Sequence, residues 1–524
     1  MPRKLSRAAL VSAALLVAFV FTPAALAETY VVLYKGGAST AKAGDWIQRS
    51  GGSVVANYSQ IGVVVARSSS PTFTQAMQGG AGIENVALSR AVAKVDQPVA
   101  AEGDLPNSPA TPDSLAARQW DMRQIHAFEA HATTGGSPAV VTGILDTGLD
   151  KDHPDLVQNI DFSRSVSCES GAPVSAPTAW DDHNGHGTHT AGTIAAADNG
   201  FGITGVAPNT KIAAVKASND DGYFFVEMVV CAFMHSANVH LDVTNNSYFM
   251  DPWLYNCRNN PEQRTLWKAA KRAIEYAQKQ GVTVVAAEGN QQDDLSHPQV
   301  DVISPDFPPG NEEDREITNA CVVVPVEVPG VIGVTAVGNT RQVDGDNDPN
   351  DYLKSYYSSY GVSSADVTAP GGDFFYGRGT DGQPFGLVLS TYPSEAPCQR
   401  SVKEDPGTPP FALTQYCYLQ GTSMASPHAA GLAALIISRY GDLKSPQNGK
   451  MRPGAVEAHM QRTADPQPCP TELPLQGAPG SSRATIPYAN SRRPSGDLQE
   501  CQGGVGHNSW YGAGQINALR AVTK

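Results

Sequence analysis

From residue 119 onwards, short apolar runs alternate with segments of helical pattern. The runs predict strands at 140–145, 211–216, 241–245, 281–287 and 331–337. A clear helical pattern covers 263–280. Strands that are apolar throughout and separated by helices are typical of a parallel sheet covered on both faces. We therefore predict an α/β domain over 119–524, with its chemistry at the carboxyl ends of the strands.

The segment 28–96 has a different pattern. It predicts strands at 29–34, 54–58, 61–66 and 91–95, with helices at 39–49 and 71–77. This β-α-β-β-α-β order favours a small α+β ferredoxin-like module. Residues 97–118 are rich in Ala, Pro, Ser and acidic residues, which predicts a linker. Exposed linkers are where proteases cut.

The first 27 residues have the pattern of a secretory signal. Arg3, Lys4 and Arg7 precede an apolar run at 8–21, and Ala25-Leu26-Ala27 has the form of a cleavage site. The run is too short for a transmembrane helix, although an N-terminal membrane anchor is the alternative. We expect a soluble, secreted protein that has no membrane association after removal of the signal.

Composition narrows the classes of function. Apolar residues make up 41% of the 524 and charged residues 17%, which excludes disorder for the bulk of the chain. The formal charge of −14 disfavours nucleic acid as a partner. Eight cysteines occur with no Cys-x-x-Cys pair, which excludes zinc-ribbon and thioredoxin sites. An even number of cysteines in an exported chain favours disulfides over isolated thiols.

Two segments supply a carboxylate and histidines. Asp146 follows a predicted strand and precedes Thr-Gly, although such an Asp is commonly only a turn residue. His183, His186 and His189 lie close to Asp181 and Asp182. Taken alone, this histidine cluster suits catalysis and binding of a transition metal about equally. The glycines between the histidines oppose one helix through all three, and the segment has no His-Glu-x-x-His motif.

Two further segments supply an amide and a hydroxyl. Asn290 follows a strand and a glycine, so its N–H groups can point into a cleft, although an Asx turn is the ordinary alternative. Ser423 lies at the start of an apolar helix, where backbone N–H groups and the helix dipole favour an anion. A helix cap is the usual role of such a serine. Together the four segments supply the groups that acyl transfer needs.

The motifs around these residues resemble the signature blocks of the subtilisin-like serine proteases. The resemblance covers about residue 119 to the end, including 511–517, and its serine block is highly specific. With all blocks counted, catalysis is favoured over a metal site. The matching blocks are Asp146-Thr147-Gly148, residues 186–193 (His-Gly-Thr-His-Thr-Ala-Gly-Thr) and residues 421–428 (Gly-Thr-Ser-Met-Ala-Ser-Pro-His).

The resemblance implies a role for each residue. Ser423 is the nucleophile, His186 the general base and then the general acid, and Asp146 the group that orients His186. Asn290 and the backbone N–H of Ser423 stabilise the oxyanion. His189 and His428 match motif positions and are interpreted as structural. No cofactor is needed for this chemistry.

The family also implies where substrate and calcium bind. Ser247, Tyr248 and Phe249 occupy the place of a substrate-binding strand end, although Phe249 stands where the family usually has glycine. Asp155 and Asn199 resemble ligands of a structural Ca²⁺, with an ion-free polar turn as the alternative.

By the same resemblance, 28–96 is a prosegment that assists folding and inhibits the enzyme, released by a cut within 97–118. We therefore expect a monomeric, secreted serine endopeptidase that processes itself and acts on proteins or peptides. Its alternative is a catalytically silent relative that binds peptides. Cys398–Cys417 and Cys469–Cys501 are the disulfides expected, among 105 pairings that eight cysteines allow.

Overall fold

The computed structural model describes residues 27–90, 113–342, 350–374, 386–407, 413–445, 449–470, 485–487 and 498–524. The predicted signal, apart from residue 27, and residues 97–112 of the predicted linker lie outside them. The last residues of that linker are described and belong to the packed body, because Asp113, Leu115 and Ala116 are buried.

The N-terminal unit is a four-stranded antiparallel sheet with two helices. The sheet order β2-β3-β1-β4 confirms the ferredoxin-like prediction. The elements are β1 (Glu28–Tyr34), α1 (Ala43–Arg49), β2 (Gly52–Tyr58), β3 (Val63–Ser68), α2 (Phe73–Gln78) and β4 (Ile83–Arg90).

The fourth strand of this unit was not predicted from the sequence. It is Ile83–Arg90, and the predicted strand 91–95 lies outside the described residues. The alternation of apolar and polar residues in β4 is not clear from the sequence, because its polar side chains contact the second unit rather than solvent. Asn85 donates to the carbonyl oxygen of Pro261 at 3.1 Å and to Thr265 Oγ1 at 2.8 Å. Ser89 donates to the buried Glu227 carboxylate.

The second unit is built on an eight-stranded sheet in the order β15-β14-β10-β8-β5-β7-β6, with β16 paired to β14. All its pairs are parallel except β14–β15, which confirms the predicted α/β class. Its strands are β5 (Val141–Asp146), β6 (Val166–Ser167), β7 (Lys211–Lys216), β8 (Val243–Asn246), β10 (Thr283–Ala287), β14 (Ile332–Arg341), β15 (Tyr352–Lys354) and β16 (Val367–Pro370).

The remaining strands form small ladders around this sheet. They are β9 (Tyr255–Cys257), β11 (Val300–Asp301), β12 (Arg315–Glu316), β13 (Cys321–Val323), β17 (Val388–Tyr392), β18 (Ser401–Glu404), β19 (Thr414–Leu419), β20 (Thr485–Pro487), β21 (Leu498–Glu500), β22 (Gly503–Gly504) and β23 (His507–Asn508). The helices are α3 (Trp120–Gln124), α4 (Ala127–His131), α5 (His186–Ala195), α6 (Val226–Asn238), α7 (Pro261–Lys279), α8 (Thr422–Tyr440), α9 (Pro453–Thr463) and α10 (Ala518–Thr523).

Helices cover both faces of the large sheet, which explains why its strands are apolar throughout. Ile144 of β5 belongs to the core cluster that includes α5 and α8. Its neighbour Leu145 belongs to the opposite cluster, formed with α6 and α7. Successive side chains of a strand point to opposite faces, so both must be apolar here.

The N-terminal sheet packs on the outer side of α6 and α7. Val31, Leu33 and Val63 share one apolar cluster with these two helices. Arg272 of α7 donates to the carbonyl oxygens of Tyr34 at 2.8 Å and Ile61 at 3.2 Å. The two units thus share an apolar interface with hydrogen bonds at its edge.

All eight cysteines form disulfides. The predicted pairs Cys398–Cys417 and Cys469–Cys501 are confirmed. The other two are Cys168–Cys231 and Cys257–Cys321. No helix in the described part of the chain is both long and apolar enough to cross a membrane.

Candidate active site

Asp146 and His186 meet where a strand ends and a helix begins. Asp146 is the last residue of β5 and His186 the first of α5. The Oδ1 atom of Asp146 lies 2.7 Å from His186 Nδ1, and it also accepts the Thr147 N–H at 2.8 Å. Burial alone lowers the pKa of the His186 imidazole, but the Asp146 carboxylate outweighs burial and the pKa is raised. The carboxylate therefore orients the ring and stabilises its charged form.

The loop before α5 is held by the Asp182 carboxylate. It accepts the backbone N–H groups of Asn184 at 3.0 Å, Gly185 at 2.9 Å and Thr188 at 3.0 Å. A Cβ atom added at Gly187 would lie 2.2 Å from the carbonyl oxygen of Gly148, so only glycine fits there. The sequence placed Asp182 in a metal cluster, whereas its side chain here accepts backbone and hydroxyl donors.

The three histidines of this segment do not converge on one point. His189 is fully buried and hydrogen-bonds through Nε2 to the carbonyl oxygen of Cys417 at 2.9 Å. Burial lowers its pKa to about 3. His183 is exposed. Among the described residues, no group of three or more His, Cys, Asp or Glu side chains could hold a metal ion, so the metal alternative finds no support here.

Ser423 lies in the first turn of α8, and side chains fasten this turn to the end of β8. Ser247 Oγ donates to the Ser423 carbonyl oxygen at 2.9 Å, and Ser426 Oγ donates to Asn245 Oδ1 at 2.7 Å. Ser423 Oγ donates to the Ser247 carbonyl oxygen at 3.2 Å. Its backbone N–H has no partner within the helix, as is general for a first turn.

Asn290 has a fixed orientation. Its Oδ1 atom accepts the Thr422 N–H at 2.9 Å and the Thr422 hydroxyl at 3.0 Å. The Thr422 hydroxyl in turn accepts the Gly289 N–H at 3.1 Å. Because donors occupy the carbonyl side of the amide, the NH₂ group faces the other way. Sequence reasoning gave Thr422 no role, although it lies in the serine block beside Ser423.

One cleft connects the predicted residues. Its cavity of about 410 Å³ is lined by His186, Asn290, Ser423 and the predicted substrate segment Ser247, Tyr248 and Phe249. Tyr248 stacks on Phe224 with ring centroids 4.2 Å apart and planes inclined by 2°. Phe249 also lines this cavity. Asp146 lies behind His186 and is fully buried.

Asp155 and Asn199 are neighbours, but their donor set does not fit a calcium cage. The Asp155 carboxylate accepts the Asn199 amide N–H at 3.1 Å, the Tyr416 hydroxyl at 2.8 Å and the Ile203 N–H at 3.0 Å. Calcium needs free oxygen ligands, six to eight of them. Here hydrogen-bond donors occupy the carboxylate, so these contacts give no support to calcium at Asp155 and Asn199, and calcium remains an untested prediction.

His428 and its partner Asp121 lie in the core and do not line the cleft. His428 hydrogen-bonds through Nδ1 to the Met424 carbonyl oxygen at 2.8 Å and through Nε2 to Asp121 Oδ2 at 3.0 Å. Both ring nitrogens are thus engaged inside the protein, which supports the structural interpretation of this histidine.

Comparison with known proteins agrees with this geometry. The sequence pattern of the subtilase family matches residues 137–506. Subtilisin DY of Bacillus licheniformis is 32% identical over 309 residues, which are 59% of this chain and 80% of that protein. Fervidolysin of Fervidobacterium pennivorans is 26% identical over 348 residues, 65% of this chain but only 40% of fervidolysin.

Solved structures show the same fold. The epidermin leader peptide processing serine protease of Staphylococcus aureus superimposes with a TM-score of 0.62 at 21% identity, covering 95% of this chain and 98% of that one. The crystal structure of fervidolysin gives a TM-score of 0.60 at 21% identity, covering 95% of this chain and 61% of that one. The chain therefore belongs to the subtilase family, a family of serine endopeptidases.

Proposed function

We propose that this protein is a secreted, self-processing endopeptidase that hydrolyses peptide bonds through an acyl-enzyme intermediate. Asp146, His186 and Ser423 are its catalytic triad in this proposal. One observation carries it: His186, joined to Asp146 at 2.7 Å, lines one cleft with a serine in the first turn of a helix.

The reaction uses the atoms that the cleft presents. The Ser423 hydroxyl turns from the Ser247 carbonyl to His186 Nε2, gives up its proton there and attacks the scissile carbonyl carbon. The resulting oxyanion accepts the Asn290 amide N–H and the Ser423 backbone N–H. His186 then protonates the leaving amine. A water molecule then gives a proton to His186 and attacks the acyl-enzyme carbonyl carbon, and His186 returns the proton to the Ser423 oxygen as the ester bond breaks.

Thr422 is a positioning residue in this proposal. It binds the carbonyl side of Asn290, so the amide offers donors to the oxyanion without reorientation. Donors that already point at the developing oxyanion do not need to reorient during the reaction, so no free energy is lost in that step.

The segment Ser247, Tyr248 and Phe249 is the proposed substrate-binding wall. An extended peptide would add to this strand end by backbone hydrogen bonds, and its side chains would enter the cavity. Protein and peptide substrates suit this open arrangement. The enzyme works as a monomer in the proposal and needs no cofactor for chemistry.

The N-terminal unit is proposed to be the prosegment and intramolecular inhibitor. Its apolar packing on α6 and α7, with Arg272 bonded to two of its carbonyl groups, supports this role. The proposed cut lies in 97–118, between the sheet and the packed body that begins by Asp113.

Intact mass of the exported protein tests the proposal. The parent chain, Ser423→Ala and a matched control, Ser401→Ala on an exposed serine of β18, are expressed with export. We expect the parent and the control to lose the N-terminal unit and Ser423→Ala to keep it. A fluorophosphonate should phosphonylate Ser423, with loss of fluoride, in the parent and in the control but should not label Ser423→Ala.

Other outcomes separate the alternatives. If all three chains keep the unit and none is labelled, the protein is the silent peptide-binding relative. If Ser423→Ala loses the unit like the parent, another protease makes the cut and self-processing is wrong. A chelator that lowers the melting temperature, without instant loss of activity, would support structural calcium.

A further inference from the structure

The cleft contains two acidic residues that the catalytic proposal does not use. Asp251, which follows the substrate segment, and Asp306 both line the cavity that holds Ser423 and Asn290. The cavity volume of about 410 Å³ falls in the range of ligand-binding clefts. Carboxyl groups in the same cavity as a proposed nucleophile can determine which substrate side chains bind there.

These two carboxyl groups lie against each other. Asp251 is 4% exposed, and its Oδ2 atom accepts the Phe224 N–H. Asp306 lies within hydrogen-bonding reach of Asp251, and its backbone N–H donates to the Pro252 carbonyl oxygen at 3.1 Å. The Oδ1 atom of Asp306 is buried as well. The two acids therefore form a hydrogen-bonded carboxyl pair in the wall of the cavity.

Another acidic residue close in sequence to Asp306 has a cationic partner, unlike the Asp251–Asp306 pair in the part of the chain that the structure describes. Asp301 is also buried, but its carboxylate is bonded to the Arg315 guanidinium. Within the described residues, neither Asp251 nor Asp306 forms such a salt bridge. Buried carboxylates are normally paired with a cation, because an isolated buried charge is costly. Burial and the neighbouring Asp306 hold the pKa of Asp251 well above its usual range.

Aromatic residues also line the cavity. Phe224 and Tyr248 stack on each other, and both line the cavity together with Tyr223. A guanidinium group stacks on aromatic rings and binds carboxylates with two parallel hydrogen bonds. An ammonium group makes the charge contact without the planar match. A divalent cation is a poorer fit, since these acids are not part of any metal-binding group among the described residues.

We propose that this cavity binds a cationic side chain of the substrate, arginine in preference to lysine, on the acyl side of the scissile bond. Asp251 and Asp306 supply the countercharge, and Phe224 and Tyr248 the stacking surface. The inference rests on the proposed function, because it assigns the specificity of the same cleft.

Matched peptides test the inference on the processed enzyme. The peptides share one sequence and differ at a single position. Arginine, lysine, citrulline or leucine is placed at one of the four positions before the scissile bond, and each position is varied in turn. Citrulline keeps the shape of arginine and removes the charge. At one position we expect kcat/KM for arginine to exceed that for citrulline by about 100-fold or more, with lysine between them, because the neutral analogue leaves buried carboxyl groups unpaired.

Variants locate the origin of the preference. Asp251→Asn and Asp306→Asn should each lower the arginine-to-citrulline ratio by about tenfold or more. Asp314→Asn is the matched control, since it makes the same charge change at an exposed residue that does not line the cavity. It should leave the ratio unchanged. The ratio compares two substrates on one enzyme sample, so partial unfolding of a variant does not alter it.

Titration of active sites with a fluorophosphonate separates the two proposals. If no enzyme is labelled and no peptide is cut, the proposed function is wrong. If labelled enzyme cuts the citrulline and arginine peptides equally at every position, the specificity inference is overturned and the proposed function stands. A charge preference that survives both Asp251→Asn and Asp306→Asn would also overturn it. Should either variant fail to fold, the ratio on the parent enzyme still decides.

Discussion

Two imidazoles in the first turn of α5 have opposite chemical properties. His186 faces the cleft beside Asp146, and its pKa is raised. His189 faces the core, where burial lowers its pKa to about 3, and it bonds to the Cys417 carbonyl oxygen. Both histidines are part of the same motif. The Asp146 carboxylate raises the pKa of one imidazole and burial lowers that of the other, so the surroundings rather than the local sequence set the two apart.

The comparison predicts that changes on the cleft side lower activity and changes on the core side lower stability. The largest expected effect is that of Asp146→Asn, which removes the carboxylate that distinguishes His186 from His189. We expect kcat/KM to fall by about 10⁴-fold, because the imidazole loses its orientation and its stabilised charged form. Peptide hydrolysis per titrated active site measures this loss. Asp405→Asn, on an exposed residue, is the control.

The same variant changes the pH profile. His186 must be neutral to accept the serine proton, so activity is lost as the pH falls through its pKa. Since that pKa is raised, the acid limb of kcat/KM should lie above the usual histidine value of about 6.5. In Asp146→Asn the limb should move to lower pH. An unchanged limb would show that another group controls it.

Asn290→Ala removes the second feature of the cleft side, a side-chain donor for the oxyanion. We expect kcat to fall by about 10²–10³-fold, the loss typical of a single oxyanion donor. KM should change little, because the interaction forms mainly in the transition state. Steady-state kinetics separates the two constants, with Asn311→Ala as the control on an exposed amide. A loss confined to KM would contradict the oxyanion role.

His189→Phe changes the core side of the same turn. The Cys417 carbonyl oxygen loses its donor, so the free energy of unfolding should fall by about 1–3 kcal/mol. Activity per titrated site should stay near that of the parent. Denaturant unfolding of the inhibited enzyme measures the first quantity. A large loss of activity at unchanged stability would show that His189 takes part in catalysis.

The smallest effect is expected of Thr422→Val, which keeps the backbone N–H to Asn290 and removes the hydroxyl. The hydrogen bond to Asn290, worth about 0.5–1.5 kcal/mol, corresponds to a roughly 2–10-fold fall in kcat, and loss of the second bond, from the Gly289 N–H, should lower the stability of the variant. Thr422→Ser should restore activity, since the serine hydroxyl reaches the same oxygen. If Thr422→Ser lost as much activity as Thr422→Val, the hydroxyl would not account for the effect.

Much of the candidate site could be predicted because its residues lie in local motifs at strand and helix ends. This is true of all four residues with proposed catalytic roles. The structure brings His186, Ser423 and Asn290 to one cleft, with Asp146 hydrogen-bonded behind His186. The sheet was predictable for the same reason, since its apolar runs reflect burial on two faces. The roles of these residues in catalysis stay proposals.

The rest depends on contacts between distant segments. Asp251 and Asp306 lie in separate loops with no periodic pattern, so their pairing appears only in three dimensions. The strand Ile83–Arg90 was missed because its polar side chains face another unit, which no local pattern records. Disulfides between cysteines far apart in the sequence, such as Cys168–Cys231, likewise could not be predicted from the residues around either cysteine.

The N-terminal sheet has two apolar faces, and only one is covered by its own helices. The side that carries Tyr30, Val32 and Val64 packs on α1 and α2. The side with Val31, Leu33 and Val63 packs on α6 and α7. While the chain is continuous, the second contact forms at the high effective concentration of a tethered partner. After the proposed cut between the units it would become a bimolecular complex, so dilution would help to set how much of the second unit is free of the first.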